Sequence, residues 1–292
     1  MEGIISIQSN LVYGHGGNSA AVFPVQRMGL EIWPINTAQY SNHSQYQQGW
    51  TGRCYPASDI RELLHGLGNI ELLAHCKAII SGHQASVAQC IAVKEAVMQV
   101  KSQSAAALYV CDPSLDESYQ KMDSEQAVSQ HLLTELMPMA DVIVANLSEL
   151  VQFTHCQIET VAQAVNACKQ ALALGPKMVL LKNLRFIDDT SYSMMLVTAK
   201  TAYLSQRPLL RFEVIPAGIR ELLTAIFTAC LVKQMSPAAA LRHTNNAVYG
   251  VLELTQDNGS LELETIGGQY EFVEPTHDFA LKKLQFSSNS QN

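Results

Sequence analysis

The chain has 292 residues, 48% hydrophobic and 15% charged, and its 19 Lys and Arg against 26 Asp and Glu leave a net charge of −7. That length supports one large α/β domain or two smaller ones, and an acidic balance with no Lys/Arg-rich run makes nucleic acid and anionic membrane poor partners. No apolar stretch approaches the roughly 20 residues of a membrane span, Met1–Gln8 has no cationic leader, and the seven cysteines, odd in number and without a CxxC, read as reduced thiols of a cytoplasmic protein.

Short β-branched runs alternate with longer helical patterns, the mark of βα units and a mostly parallel sheet. Gly3–Gln8 is a predicted strand, Gly14–Gly17 a turn and Asn18–Met28 a helix. Leu30–Asn36 follows as a strand, Ser58–Leu73 as a helix, Lys77–Ser81 as a strand and Ala85–Gln103 as a long helix with apolar residues at three-to-four spacing. Between them Ile35–Arg53 is polar and aromatic without helical period, which suits a surface hairpin, a long loop or a flap over a site.

Leu108–Cys111 is a strand leading into Asp112-Pro113, and Ser124–Leu136 a helix whose first Ser can accept from first-turn amides. Asp141–Ala145 and Lys177–Lys182 are buried strands on either side of the helix Thr160–Leu174, which Gly175-Pro176 stops. Ser191–Val197 and Thr201–Leu204 suit an antiparallel pair, and Glu221–Gln234 and Pro237–Leu252 two final helices before a polar C-terminal portion. No repeat or linker divides the chain, so one domain over 1–285 with a disordered tail at 286–292 is expected.

In an open parallel sheet, ligands bind beyond the carboxyl ends of the strands. Those ends carry Ser9, Ser81-Gly82-His83, Asp112, Asn146 with Glu149, and Lys182, with Gly218 before the penultimate helix. Gly14–Ser19 (GHGGNS) is no dinucleotide fingerprint, because Ser19 stands at the third glycine and Asn36, not an acid, ends the second strand. A G-x-x-x-x-G-K-[ST] phosphate loop is absent from the sequence. Glu149 and Asp112 suit a hydrated Mg²⁺ bound with phosphates, and Lys182 a phosphate charge; taken singly, each also reads as a helix cap or a rim charge.

The segment IISIQSNLVYGHGGNSAAVFPVQRMGLEIWPINTAQYSNHSQY, with ISGH, VCDP, ADVIVANLSEL, GPKMVLLKNL, RPLL and VEPTHDFALKKL, resembles the bacterial pyridoxal kinases of the ribokinase superfamily over essentially residues 1–284. The resemblance implies a Rossmann-like α/β/α sandwich with a small antiparallel edge, a flap at about 36–53, ATP with Mg²⁺, and a homodimer. It implies substrate contacts at Ser9, Ser44 and Gln45, with Tyr13 and His83 as ring neighbours. Asp112, Glu149, Lys182 and Arg207-Pro208-Leu209-Leu210 fall on the nucleotide side, Glu149 and Asp112 also on the metal.

The family's G-x-G-D reads here Gly218-Ile219-Arg220-Glu221, and the glycine-containing lid after Asp112 reads DPSLDESYQKMD. Glu221 then stands as the base, its carboxylate moved by one methylene, and Arg220 as a side chain inside the anion hole or as a phosphate charge. Three readings follow: a slow ATP-dependent kinase of the pyridoxal 5′-hydroxymethyl group, an impaired homologue that binds pyridoxal or its phosphate, and a kinase of another small alcohol.

Overall fold

The computed structural model describes residues 2–115 and 123–285. The expected tail and most of the loop after Asp112 lie outside the described residues, as does the side chain of Ser124. In chain order the strands are β1 (Gly3–Leu11), β2 (Glu31–Tyr40), β3 (Gly52–Cys54), β4 (Cys76–Ser81), β5 (Leu108–Cys111), β6 (Val142–Ala145), β7 (Met178–Lys182), β8 (Ser191–Thr198), β9 (Ala202–Pro208) and β10 (Leu281–Lys283). The α-helices are α1 (Asn18–Arg27), α2 (Ala57–Asn69), α3 (Val87–Gln103), α4 (Asp123–His131), α5 (Met137–Met139), α6 (Leu147–Thr154), α7 (Val161–Ala173), α8 (Ile219–Val232) and α9 (Pro237–Asp257).

All ten strands form one sheet in the order β10-β9-β8-β7-β6-β5-β4-β1-β2-β3. The six strands β2, β1, β4, β5, β6 and β7 pair in parallel, while β3 on one side and β8, β9 and β10 on the other pair antiparallel. Strand apolarity alternates between two cores. Ile4, Ile80, Val142 and Val144 join the layer of α1, α8 and α9, and Ile5, Ile79, Ile143 and Ala145 that of α2, α3 and α7. Burial on both faces explains why these strands read as continuous apolar runs. The architecture is thus the expected helix-flanked, mostly parallel sandwich.

Three departures have local causes. Strand β2 runs past the expected Asn36 to Tyr40, because β1 continues alongside it through a register shift that pairs Asn10 with Gln39 and Leu11 with Tyr40; β3 then returns against Ala38–Tyr40. The expected flap is therefore in part a β-hairpin. The helix expected to end at Leu136 passes through a π turn at Leu132–Leu136, where Pro138 supplies no amide to the residue four back. The polar C-terminal portion contributes an unforeseen edge strand, Leu281–Lys283, against β9.

The order of connections reverses between β1 and β4, so a crevice opens at their carboxyl ends. Asn18 braces it by donating to Asn36 Oδ1 (2.8 Å) and to the Ile35 carbonyl (3.3 Å), which locks α1 to the middle of β2. Ser19 fixes the glycine turn, accepting from the amides of Leu11 (3.3 Å) and Gly16 (3.2 Å) and donating to the Gly16 carbonyl (2.7 Å). The third-glycine position is thus a turn clamp. Among the described residues, no helix is long and apolar enough to cross a membrane.

Candidate active site

Two cavities flank the start of α8. The smaller, about 340 Å³, opens at the β1/β4 crevice and is lined by Ser9, Ser44, His83, Trp50, Gly218 and Glu221 among others. The larger, about 900 Å³, lies beyond the β7 to β9 end and includes Lys182, Tyr192, Arg207, Leu209, Leu210 and Arg220. A helix advances about 100° per residue, so Gly218 and Glu221 face one cavity while Ile219 and Arg220 face the other.

Gly218 makes this junction possible. Its φ of 87° is left-handed, and a Cβ there would stand 2.5 Å from the His15 carbonyl oxygen. The glycine turn after β1 therefore packs directly on the start of α8. The first amides of any helix lack intrahelical acceptors, and the helix dipole favours negative charge there. A transferring phosphoryl group between the two cavities would meet those amides.

Of the expected substrate contacts, Ser9, Ser44 and His83 line the smaller cavity. Tyr13 and Gln45 are not among its lining residues. Tyr13 is exposed and meets Tyr46 edge to face at 6.0 Å, and the Gln45 amide reaches the Leu261 carbonyl at 3.4 Å. Trp50, which the sequence did not single out, lines the cavity and stacks edge-on against Tyr40 at 4.8 Å. Glu262 was also missed: it accepts from Tyr46 Oη (2.7 Å) and from the His15 amide (2.9 Å), joining the flap to the glycine turn. Nothing in its sequence surroundings marks that role. Burial, with Arg220 nearby, lowers the His83 pKa and favours its neutral ring.

Of the residues expected on the nucleotide side, Lys182, Arg207, Leu209 and Leu210 line the larger cavity, whereas Pro208 does not. Arg207 is buried, donates to Asn245 Oδ1 at 3.0 Å and lies 4.4 Å over the Tyr192 ring. Burial pushes its pKa down to about 10, which leaves it a cation at neutral pH. It forms no ion pair with the described carboxylates, so its charge is available to an anionic ligand.

The expected metal pair is arranged differently. Arg220 donates from Nε to Asp112 Oδ1 (2.5 Å) and from Nη2 to Glu149 Oε1 (2.8 Å). Lys182 Nζ reaches Asp112 Oδ1 at 3.2 Å, and Thr224 Oγ1 donates to Asp112 Oδ2 at 2.7 Å. Glu149, fully buried, takes the Leu115 amide on Oε1 (2.9 Å) and the Asn146 amide on Oε2 (2.7 Å), while its own amide donates to Asn146 Oδ1 (2.8 Å). That reciprocal pair is a capping box.

With Arg220 in place, Asp112 and Glu149 do not fit as joint ligands of Mg²⁺: the guanidinium occupies the space between Asp112 Oδ1 and Glu149 Oε1, where a shared cation would sit. Neither residue lines the larger cavity. Where the sequence suggested an open carboxylate pair for a metal, the structure shows an ion-pair network that Arg220 completes. Burial disfavours charge on all three titrating partners, and their neighbours oppose it unequally. Arg220 and Lys182 hold the Asp112 carboxyl below its usual range, Asp112 and Glu149 hold Arg220 firmly protonated, and the Lys182 ammonium is lowered by burial and by Arg220.

Comparison with known proteins agrees with this architecture. Residues 78–264 match the family model described as phosphomethylpyrimidine kinase. A pyridoxal kinase PdxY of Vibrio campbellii is 49% identical over 98% of this chain and 99% of its own length, and one of Burkholderia thailandensis is 39% identical over 96% and 97%. Among solved structures, pyridoxal kinase from Leishmania donovani in complex with ADP and ginkgotoxin superposes with a TM-score of 0.87 at 20% identity, covering 98% of this chain and 100% of that one. Pyridoxal kinase from Entamoeba histolytica gives a TM-score of 0.86 at 19% identity, over 97% and 100%. At such identities the two structures speak to the fold.

Proposed function

The chain belongs to the pyridoxal kinase family, and we propose that it transfers the γ-phosphoryl group of ATP to the 5′-hydroxymethyl oxygen of pyridoxal. The observation that carries this reading is the start of α8 standing between two cavities, with Glu221 lining the smaller and Arg220 the larger. Phosphoryl transfer needs an alcohol and a phosphate brought into line across a preorganised charge-stabilising site.

In this reading Ser9, Ser44 and His83 hold the vitamer, with Trp50 as an aromatic wall. Glu221 accepts the proton of the hydroxymethyl group. The amides at Gly218 and the first turn of α8 meet the charge that grows on the phosphoryl oxygens. Arg207, Lys182 and Arg220 supply the positive field for ATP, with Leu209 and Leu210 against its apolar part. Mg²⁺, when it arrives with ATP, neutralises phosphate charge.

The reading keeps the homodimer and a cytoplasmic location. The seven free cysteines, five of them buried, suit a reducing compartment. The test is coupled ADP release by the purified protein with and without pyridoxal, beside calorimetry for pyridoxal and for ATP. Turnover that requires pyridoxal supports the kinase. One observation favours a second reading, a chain that binds the vitamer with slow or absent transfer: Arg220 is committed to two carboxylates at the site of chemistry. Tight pyridoxal binding without ADP release would select it. ADP release driven only by a different alcohol would select another substrate.

A further inference from the structure

Asp112, Glu149, Lys182 and Arg220 form a formally neutral group, two carboxylates with two cations, inside the fold. Arg220 closes it toward the nucleotide, since it lines the larger cavity and the two carboxylates do not. One guanidinium takes an oxygen from each acid, Asp112 Oδ1 and Glu149 Oε1, which come from the ends of different strands and meet nowhere else in the network. Mg²⁺ bound by these acids would require oxygens at about 2.0–2.1 Å in near-octahedral array, and so would have to expel Arg220 from both. Two further features resist that exchange. The remaining oxygens are held by Thr224, by the Asn146 amide and by Lys182, and the guanidinium cannot lose its proton to make way.

We infer that Arg220 is a built-in cation standing in place of a divalent metal between Asp112 and Glu149, so that this chain holds nucleotide phosphates without a metal bound to those acids. The inference rests on the assignment of the larger cavity to the nucleotide. It extends that assignment to the ionic form recognised: ADP or ATP binds in metal-free as well as metal-bound form. Removing Arg220 leaves the group one negative charge in excess and frees a lone pair on Asp112 Oδ1, which still accepts from Lys182, and on Glu149 Oε1, which still accepts from the Leu115 amide, so that a divalent cation can take the place of the guanidinium.

The probe is Mn²⁺, titrated into the full-length protein and followed by electron paramagnetic resonance of the free ion. Wild type is expected to show no stoichiometric site. Arg220→Ala should bind one Mn²⁺ at least about tenfold more tightly, the scale on which one added unit of charge acts, and Arg220→Ala with Glu149→Gln should lose that gain. Wild type binding one Mn²⁺ as tightly as Arg220→Ala, or a gain that survives Glu149→Gln, overturns the inference.

Should the variants not fold, as judged by circular dichroism, the wild type alone decides by ADP calorimetry in EDTA and in Mg²⁺. Affinities within about threefold support the inference; a loss of about tenfold or more in EDTA, or no ADP binding in either, overturns it. Pyridoxal-dependent ADP release is scored separately. Its absence beside the expected Mn²⁺ and ADP results refutes the kinase reading and leaves the Arg220 inference standing. Its presence beside a wild-type Mn²⁺ site does the reverse.

Discussion

Glu149→Gln tests the network at its most constrained member. The Glu149 side chain is fully buried and accepts three hydrogen bonds, from the amides of Leu115 and Asn146 and from Arg220. A glutamine amide keeps one acceptor oxygen and adds two donors. If its oxygen stays on the Asn146 side, its NH₂ faces the Leu115 amide and the Arg220 guanidinium, donor against donor; the flipped orientation sets it against the Asn146 amide. Arg220 also loses one of its two counter-charges in either case. Breaking a buried pair from one side costs about 3–5 kcal/mol, of which an unsatisfied buried donor alone accounts for about 1–3. Urea unfolding followed by far-ultraviolet circular dichroism at neutral pH should show that loss. Arg220→Gln in the same background should cost less than it does alone, with a coupling of about 0.5–3 kcal/mol. A Glu149→Gln protein within about 1 kcal/mol of wild type, the scale of one neutral hydrogen bond, would refute the described network.

Ser9→Ala should weaken pyridoxal binding by about 0.5–1.5 kcal/mol, one neutral hydrogen bond, and leave ATP affinity unchanged in calorimetry; equal loss for both ligands would point to collapse of the crevice. Gly218→Ala forces a Cβ to 2.5 Å from the His15 carbonyl oxygen at a φ of 87°, so it should destabilise by about 1–3 kcal/mol and slow transfer more than it weakens either ligand, as steady-state kinetics and unfolding together would record. Asp141 is buried against its charged form, yet Lys101, Lys177 and the Tyr109 amide outweigh burial and lower its pKa. A carboxylate lowered in the fold contributes stability above its unfolded value of about 3.9 and loses it as pH falls through the folded value. The stability difference between wild type and Asp141→Asn should therefore be full at pH 7 and shrink below about pH 4, in urea midpoints measured across that range.

Much of the fold is legible because both faces of the sheet are covered. Val142-Ile143-Val144-Ala145 can only be read as a strand that is buried twice over, and the structure divides its side chains between the two cores. The hairpin at Thr37–Cys54 is less legible, since β2 is prolonged by pairing with β1 rather than by any local pattern. Strand β10 is three residues long and exists through its ladder to Tyr203–Ser205, so nothing in its own composition announces it. Ser9, His83 and Lys182 are found from sequence because parallel strands bring their carboxyl ends to one edge. Trp50 reaches the smaller cavity from the segment between β2 and β3, and Glu262 ties the flap to the glycine turn from a C-terminal loop; both courses depend on tertiary contacts.

The Asn146-x-x-Glu149 motif has two physical meanings, a capping box and a polar strand end, and sequence cannot rank them. The structure satisfies the first with both reciprocal bonds and uses the remaining oxygen for Arg220. That last contact spans 71 residues and its companion to Asp112 spans 108, beyond any local signal. Once seen, it explains how a long cation is tolerated at a position that the resemblance assigns to glycine. An arginine there without Asp112 and Glu149 would be a desolvated, unpaired charge, costing several kcal/mol; with them it completes a neutral group. Gly218, Ile219, Arg220 and Glu221 at the start of α8 serve both cavities, so a change at 220 alters the field in the larger cavity while Gly218 and Glu221 keep their places beside the smaller one. A change at 220 also reaches the smaller cavity electrostatically, because Arg220 helps to lower the His83 pKa.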